Sequence, residues 1–184
     1  MRTVDRSSLL DFVTYEERRE GIRARILAEK ARRRIHVGGK LTFLFENPDT
    51  IRYQVQEMMR VERMVKEADI LHELATYNEL LGGPGELGCT LMIEIDDPAE
   101  RAQKLAAWME LPWHVYARLG SGELSYARFD ERQVGEQRLS SVHYLKFDTG
   151  GRTPSAIGVD LAGLEAETEL DPAQRAALAE DLAS

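Results

Sequence analysis

The stretch from Asn47 to Lys66, NPDTIRYQVQEMMRVERMVK, constrains this chain more than any other. Asn47 is a good helix cap, Pro48 suits the first helical position, and Asp49 places a negative charge where the helix dipole favours one. At 100° per residue, Ile51, Val55, Met58, Val61 and Val65 fall on one stripe, the pattern of a helix that buries one face. Gln54 and Glu62 fall inside that stripe. Tyr53, Glu57, Arg60 and Met64 form a flank on which Glu57 and Arg60 are close enough to pair, while Arg52, Gln56, Arg63 and Lys66 point toward solvent. A carboxylate on a buried stripe must be neutralised, paired or metal-bound, because an isolated charge in low dielectric costs several kcal/mol. Glu62 is therefore expected either in an ion pair with an arginine from another element or as a binding or catalytic carboxylate.

The chain before this helix is basic and the rest acidic. Residues 1–36 hold 10 Lys and Arg against 6 Asp and Glu, a net of +4, so the formal charge of −8 leaves −12 on the remainder. The arginines alternate with glutamates at helical spacing and precede an acidic body, which points to internal docking. No aromatic residues interleave with the basic cluster, so nucleic acid is not the expected partner. Thr14-Tyr15-Glu16-Glu17 has capping-box spacing and opens a helix running to about Arg34. Ser8 to Phe12 reads as a short helical turn before it.

Lys40 to Glu46 reads as a strand with Leu41, Phe43 and Phe45 on one face. Asp69 is placed to cap a helix that Gly82-Gly83-Pro84 ends, and Asp69 and His72 are three apart on it. Gly88 to Asp96 alternates as a central strand with Glu94 on its second face. Asp97-Pro98 opens a helix ending near Glu110, and WHVYARL and ELSYARF flank a Gly120-Ser121-Gly122 turn as a hairpin. Ser140 to Asp148 aligns Ser141, His143, Leu145 and Phe147 on one strand face, which makes His143 the best-placed histidine for chemistry. SAIGVDL is a further strand, and Asp171-Pro172 caps a last short helix followed by an acidic, frayed end. Strands and helices mix without regular βαβ alternation. The expected fold is α+β: a largely antiparallel sheet with helices packed over one face, preceded by a long N-terminal helix.

A length of 184 residues, 43% hydrophobic and 30% charged, suits a single domain over 1–184, with 1–36 as a basic helical segment packed on an acidic body. No apolar run approaches the ~20 residues of a membrane helix. The start, MRTVDRSSLLDF, has no signal-peptide core, so a cytoplasmic protein is expected. One cysteine, Cys89, excludes an internal disulfide framework and reads as a buried structural thiol. Nucleotide-binding glycine motifs, His-Glu-x-x-His and Gly-x-Ser-x-Gly are missing from the sequence. What remains is a set of polar groups: Gln54, Glu62, Glu57, Glu94 and His143. Carboxylate with imidazole suits Fe, Mn or Zn, and Glu57, Glu62, Glu94 and His143 are the candidate metal ligands, against the simpler reading that these charges pair with arginines.

Several segments carry a resemblance: ARRRIHVGGKLTFLFENPDTIRYQVQEMMRVER, TYNEL, TLMIEIDD followed by Arg101, SSVHYLKF and IGVD. In order and spacing they resemble a bacterial family catalogued as domain of unknown function 3501, over nearly the whole chain. Tyr53-Gln54-Val55-Gln56-Glu57-Met58 is the most recognisable segment. The resemblance implies a stand-alone bacterial protein encoded beside an iron–sulfur oxidoreductase or a rubrerythrin, hence a redox or peroxide-defence setting. Family members often carry a histidine after Gly-Val-Asp; here Leu161 follows Asp160, which weakens any metal site that would use that position. The leading expectation is a non-catalytic accessory protein, with a homodimer allowed, that binds a partner through Tyr53, Glu57 and Arg60. The alternative is a metal-dependent enzyme built on the Glu/His set.

Overall fold

The computed structural model describes residues 3–184. The elements in chain order are α1 (Phe12–Ala31), β1 (Arg34–Val37), β2 (Leu41–Phe45), α2 (Pro48–Val61), α3 (Glu67–Asn78), β3 (Glu86–Ile93), α4 (Pro98–Ala107), β4 (Val115–Leu119), β5 (Leu124–Tyr126), β6 (Val142–Asp148), β7 (Pro154–Val159), β8 (Ala166–Glu169) and α5 (Pro172–Ala183). The α+β class holds, but the strands divide between two antiparallel four-stranded sheets, ordered β1-β2-β3-β6 and β5-β4-β7-β8. The sheets meet along both edges. β1 lies beside β8, where the Thr168 hydroxyl donates to the His36 carbonyl at 2.7 Å, and Arg128, just past β5, bridges Lys146 of β6.

Alternation decides what fills the space between them. Phe43 and Phe45 of β2, Leu87 and Leu91 of β3, Leu145 and Phe147 of β6, and Val115 and Ile157 from the second sheet form one core. Leu105 and Trp108 of the α4 segment and Leu178 of α5 join it. Burying one such aliphatic side chain contributes about 1.5–3 kcal/mol. A second, smaller cluster joins Val4 and Leu9 to Ile51, Val55 and Met59 of α2 and Ile70 and Leu74 of α3. No helix is long and apolar enough to cross a membrane among the described residues.

The helix boundaries differ instructively from those expected. Asp11, not Thr14, caps α1, with Oδ1 accepting from the Thr14 amide at 3.0 Å. The turn before it is a 3-10 turn at Arg6–Ser8. The helix stops at Ala31 because Ile35 and Val37 are claimed by β1, a strand too short for its alternation to show in sequence. The C-terminal end is not frayed: Ala177, Leu178 and Asp181 of α5 are buried.

α2 opens as expected. The Asn47 side chain accepts from the Thr50 amide at 2.9 Å, and the Thr50 hydroxyl accepts from the Asn47 amide at 3.0 Å. It ends five residues early, at Val61. Arg63 adopts φ 51°, the Met64 amide donates to the Met59 carbonyl at 2.9 Å, and the Arg63 amide donates to the Arg60 carbonyl at 3.4 Å. This is a Schellman turn with arginine where glycine is usual, completed by Met64 packing on the cluster that holds Met59. The buried stripe is Ile51, Val55 and Met59, with Gln56 beside it. The expected stripe used a three-residue step to Met58 and so rotated away from the true face.

Candidate functional site

That rotation relocates the expected site residues. Glu62 caps the C-terminus of α2 and is exposed, and Val65 beyond it is 82% exposed. Glu62 is therefore not the buried carboxylate. Gln54 is half-buried and donates from Nε2 to Glu46 at 3.1 Å. Gln56, expected in solvent, is buried, and its amide clamps the Leu10 backbone: Oε1 accepts from the Leu10 amide at 2.5 Å and Nε2 donates to the Leu10 carbonyl at 3.2 Å.

The flank of Tyr53, Glu57 and Arg60 faces α1 of the same chain. Glu57 and Arg60 do not pair with each other. Arg19 grips Glu57 with two bonds, Nε to Oε1 at 2.8 Å and Nη2 to Oε2 at 2.9 Å, and the buried Tyr15 hydroxyl donates to Oε1 at 2.6 Å. Arg60 donates to Glu16 at 2.7 Å, and the Lys30 ammonium sits 5.6 Å from the centre of the Tyr53 ring. The Arg19 bonds hold the Glu57 carboxyl below its usual range, with Tyr15 adding to the effect. Burial, then the bond to Glu57, pushes the Tyr15 phenol up. The arginine-rich N-terminal segment thus docks internally.

The buried carboxylate of this region is Glu46, 1% exposed. It accepts from the Thr50 hydroxyl at 2.6 Å, the Thr90 hydroxyl at 2.9 Å and Gln54. Among the described residues no cation lies within ion-pair distance of it, so all its side-chain hydrogen bonds come from neutral donors. Its signal was present in the sequence: Glu46, Thr50 and Gln54 recur every four residues, one stripe that begins before the helix does. Next to it, Arg33 makes two bonds to Asp181 of α5, both at 2.8 Å, and reaches Glu29 at 2.6 Å. Asn47 Nδ2 also donates to Asp181, at 3.4 Å.

Glu94 and His143 lie apart from these groups. Thr42 donates to Glu94 at 2.5 Å and, its one hydroxyl hydrogen being spent, accepts from Nδ1 of His36 at 2.8 Å. His143 is fully buried on the core face of β6; Nε2 donates to the Ser140 carbonyl at 3.0 Å, Nδ1 has no partner, and burial pushes its pKa down. Cys89 is buried and its thiol pKa is raised by burial. Glu57, Glu62, Glu94 and His143 do not converge. Among the described residues no group of three or more His, Cys, Asp and Glu side chains is placed to hold a metal ion.

The outer faces of the two sheets contrast. α2 lies against the first through Glu46, Thr50 and Thr90, and the turn after α3 presses so closely that a β-carbon on Gly88 would stand 1.9 Å from the Leu80 carbonyl oxygen. On the second sheet, the register aligns Tyr126, Tyr116, Gly158 and Glu167 in one row and Leu124, Arg118, Ala156 and Glu169 in the next. Tyr116 lies over Gly158 and donates to Glu167 at 3.1 Å; Arg118 reaches over to Glu167 at 3.0 Å and to Glu169. At the end of the rows His114 Nδ1 donates to Asp160 Oδ1 at 2.8 Å, and Tyr126 donates to Oδ2 at 2.6 Å. These bonds, Tyr126 first, hold the Asp160 carboxyl below its usual range. Trp113, Leu124 and Tyr126 remain 44%, 39% and 45% exposed. Sequence reasoning missed this face because His114 and Asp160 are 46 residues apart and meet only through β4–β7 pairing.

A family model described as "Protein of unknown function (DUF3501)" matches residues 3–182. Among curated proteins none matches the chain. Among solved structures, the crystal structure of a protein from Burkholderia pseudomallei, described as a novel protein of unknown function, is similar at 32% identity. It covers 98% of this chain and 100% of its own, with a TM-score of 0.89.

Proposed function

Since the chain belongs to the DUF3501 family, whose function is unknown, we propose from its surface that it is a non-catalytic accessory protein that docks onto a partner protein, in the redox or peroxide-defence setting its sequence resemblance implies. The observation that supports this is the outer face of the second sheet. Tyr, Trp and Arg are the residue types that carry most binding energy at protein interfaces. Here Tyr116, Tyr126 and Arg118 stand on one sheet, held in place by Asp160, Glu167 and Glu169, and the half-exposed Trp113 sits in the 3-10 turn that leads into β4, edge-on to Phe129. The acidic frame suits a partner with a basic surface, because complementary charge raises the encounter rate and fixes orientation. An iron–sulfur oxidoreductase or a rubrerythrin is the partner class this reading names.

The test is affinity purification of the tagged protein from its native host under reducing, anaerobic conditions, with the partner identified by mass. The wild-type protein should retain a redox partner, and more weakly at raised salt. Tyr126→Asp combined with Trp113→Ala should lose it, whereas Tyr15→Phe on the opposite helical layer should not. A protein that elutes alone under these conditions, or a face variant that keeps its partner, overturns the reading.

A further inference from the structure

We propose that the groove between α1 and α2 is a binding site for a small carboxylate with a compact apolar body, such as a short-chain acid of the size of hexanoate. It lies on a different surface from the docking face and does not depend on it. The groove is a recess of about 240 Å³. Its floor is apolar, made by the side chains of Leu10, Tyr15, Ile22 and Ile26, and its rim carries Arg25, Arg52 and Tyr53. Two properties set this recess apart from an ordinary dimple between helices.

First, its walls are fixed. The Gln56 amide holds the Leu10 backbone at both its N–H and its C=O, Glu57 ties α2 to Tyr15 and Arg19, and Ser8 accepts from Arg52 Nε at 3.3 Å. A pre-formed recess spares the ligand the cost of ordering it. Second, its cationic rim is only partly used. Most arginines near the seam are spoken for: Arg19 by Glu57, Arg60 by Glu16, Arg33 by Asp181. Among the described residues Arg25 has no acidic partner. Arg52 pairs through Nη1 with Asp49, which neutralises the one carboxylate on the rim, and leaves Nη2 without an acceptor.

A floor without polar demand and a rim with unspent guanidinium donors select an amphiphilic anion. Guanidinium matches a planar carboxylate in geometry and charge, and the volume holds an acyl body of only a few carbons, below the ~300 Å³ at which drug-sized sites begin.

The test uses hexanoate, hexan-1-ol and acetate as probes, titrated into the full chain by calorimetry, with methyl NMR of Ile22 and Ile26. Hexanoate should bind at roughly millimolar concentration and shift both isoleucine methyl signals. Hexan-1-ol, which keeps the body and loses the charge, should bind about tenfold more weakly, and acetate, which does the reverse, about tenfold more weakly or not at all. Arg25→Gln removes no intrachain ion pair. It should weaken hexanoate about tenfold and leave hexan-1-ol unchanged. Ile22→Trp, which fills the floor, should abolish both. Equal affinity for hexanoate and hexan-1-ol, equal affinity for hexanoate and acetate, or an Arg25→Gln protein that binds hexanoate as the wild type does would overturn the proposal.

Discussion

Tyr116 lies across Gly158 so closely that a β-carbon on the glycine would stand 2.4 Å from the end of the tyrosine ring. The bare backbone of β7 is therefore what lets Tyr116 reach Glu167 on β8, and the row of side chains on this face is laid over it. Gly158→Ala should swing the ring outward, because the end of a tyrosine is easier to move than a strand. The expected cost is about 1 kcal/mol, read from the urea midpoint, with a changed near-ultraviolet tyrosine signal. Unchanged near-ultraviolet spectra would mean the ring does not depend on the glycine.

Arg33 and Asp181 form a buried pair, with side chains 2% and 5% exposed. Asp181→Leu takes the acceptors from Arg33 Nε and Nη2 and leaves the buried guanidinium with Glu29 as its one hydrogen-bonded counter-charge, so it should cost about 3 kcal/mol. Arg33→Met with Asp181→Leu should recover most of that loss, since two apolar groups leave no buried charge behind. A double variant as unstable as the single one would show that the pair's hydrogen bonds, rather than its charge balance, hold α5 in place.

Tyr15→Phe deletes the hydroxyl that donates to the Glu57 carboxylate and should cost about 1–2 kcal/mol at neutral pH. The pH limbs follow from signs. Glu57 titrates lower in the folded protein, so its contribution is present above its usual 4.5 and is lost as pH falls through the depressed value. Tyr15 titrates higher when folded, so its contribution is present below its usual 10.0 and is lost as pH rises beyond it. Denaturation midpoints of the variant against pH should fall less steeply than those of the wild type on the alkaline side.

His143 is buried neutral, with a folded pKa below its usual 6.5. The unfolded chain therefore takes up a proton before the folded one does. Stability is full above about pH 6.5 and declines as pH falls from there toward the depressed folded value. His143→Leu should remove that part of the slope, whatever it does to stability at pH 8. Parallel wild-type and variant curves between about pH 6.5 and 5 would assign the slope to other histidines.

Glu62→Ala should change stability by no more than about 0.5 kcal/mol, because the side chain is exposed at the helix end. Its neighbour is the costly one. Arg63 holds φ 51° with a full side chain, and Arg63→Gly should stabilise the protein by about 0.5–1 kcal/mol in urea. Destabilisation would show that the Arg63 side chain makes up for its backbone.

The sequence spoke clearly wherever one local rule sufficed. Asn47-Pro48, Asp97-Pro98 and Asp171-Pro172 each cap the helix they announce, and alternation placed Phe43, Phe45, Leu145 and Phe147 in the core. It misled where a helical wheel carries a three- or four-residue choice: reading Met58 rather than Met59 as buried turned Glu62 inward and Gln56 outward. Long-range partners were hidden. Nothing near Arg33 names Asp181, nothing near His114 names Asp160, and the division into two sheets depends on which strand edges meet. The internal docking of the basic segment was readable from its arginine–glutamate spacing, but its acceptors, Glu57 and Asp181, were not.

The bond from Arg33 to Asp181 also imposes a schedule. The two residues are 148 positions apart, and ribosomes add about 5–20 residues per second, so one emerges roughly 7–30 s after the other. Throughout that interval the nascent chain exposes a guanidinium with no aspartate to meet it. The first helix can meet Glu57 of α2 well before that, so what waits for α5 is the closing of the buried pair just beyond the helix's end.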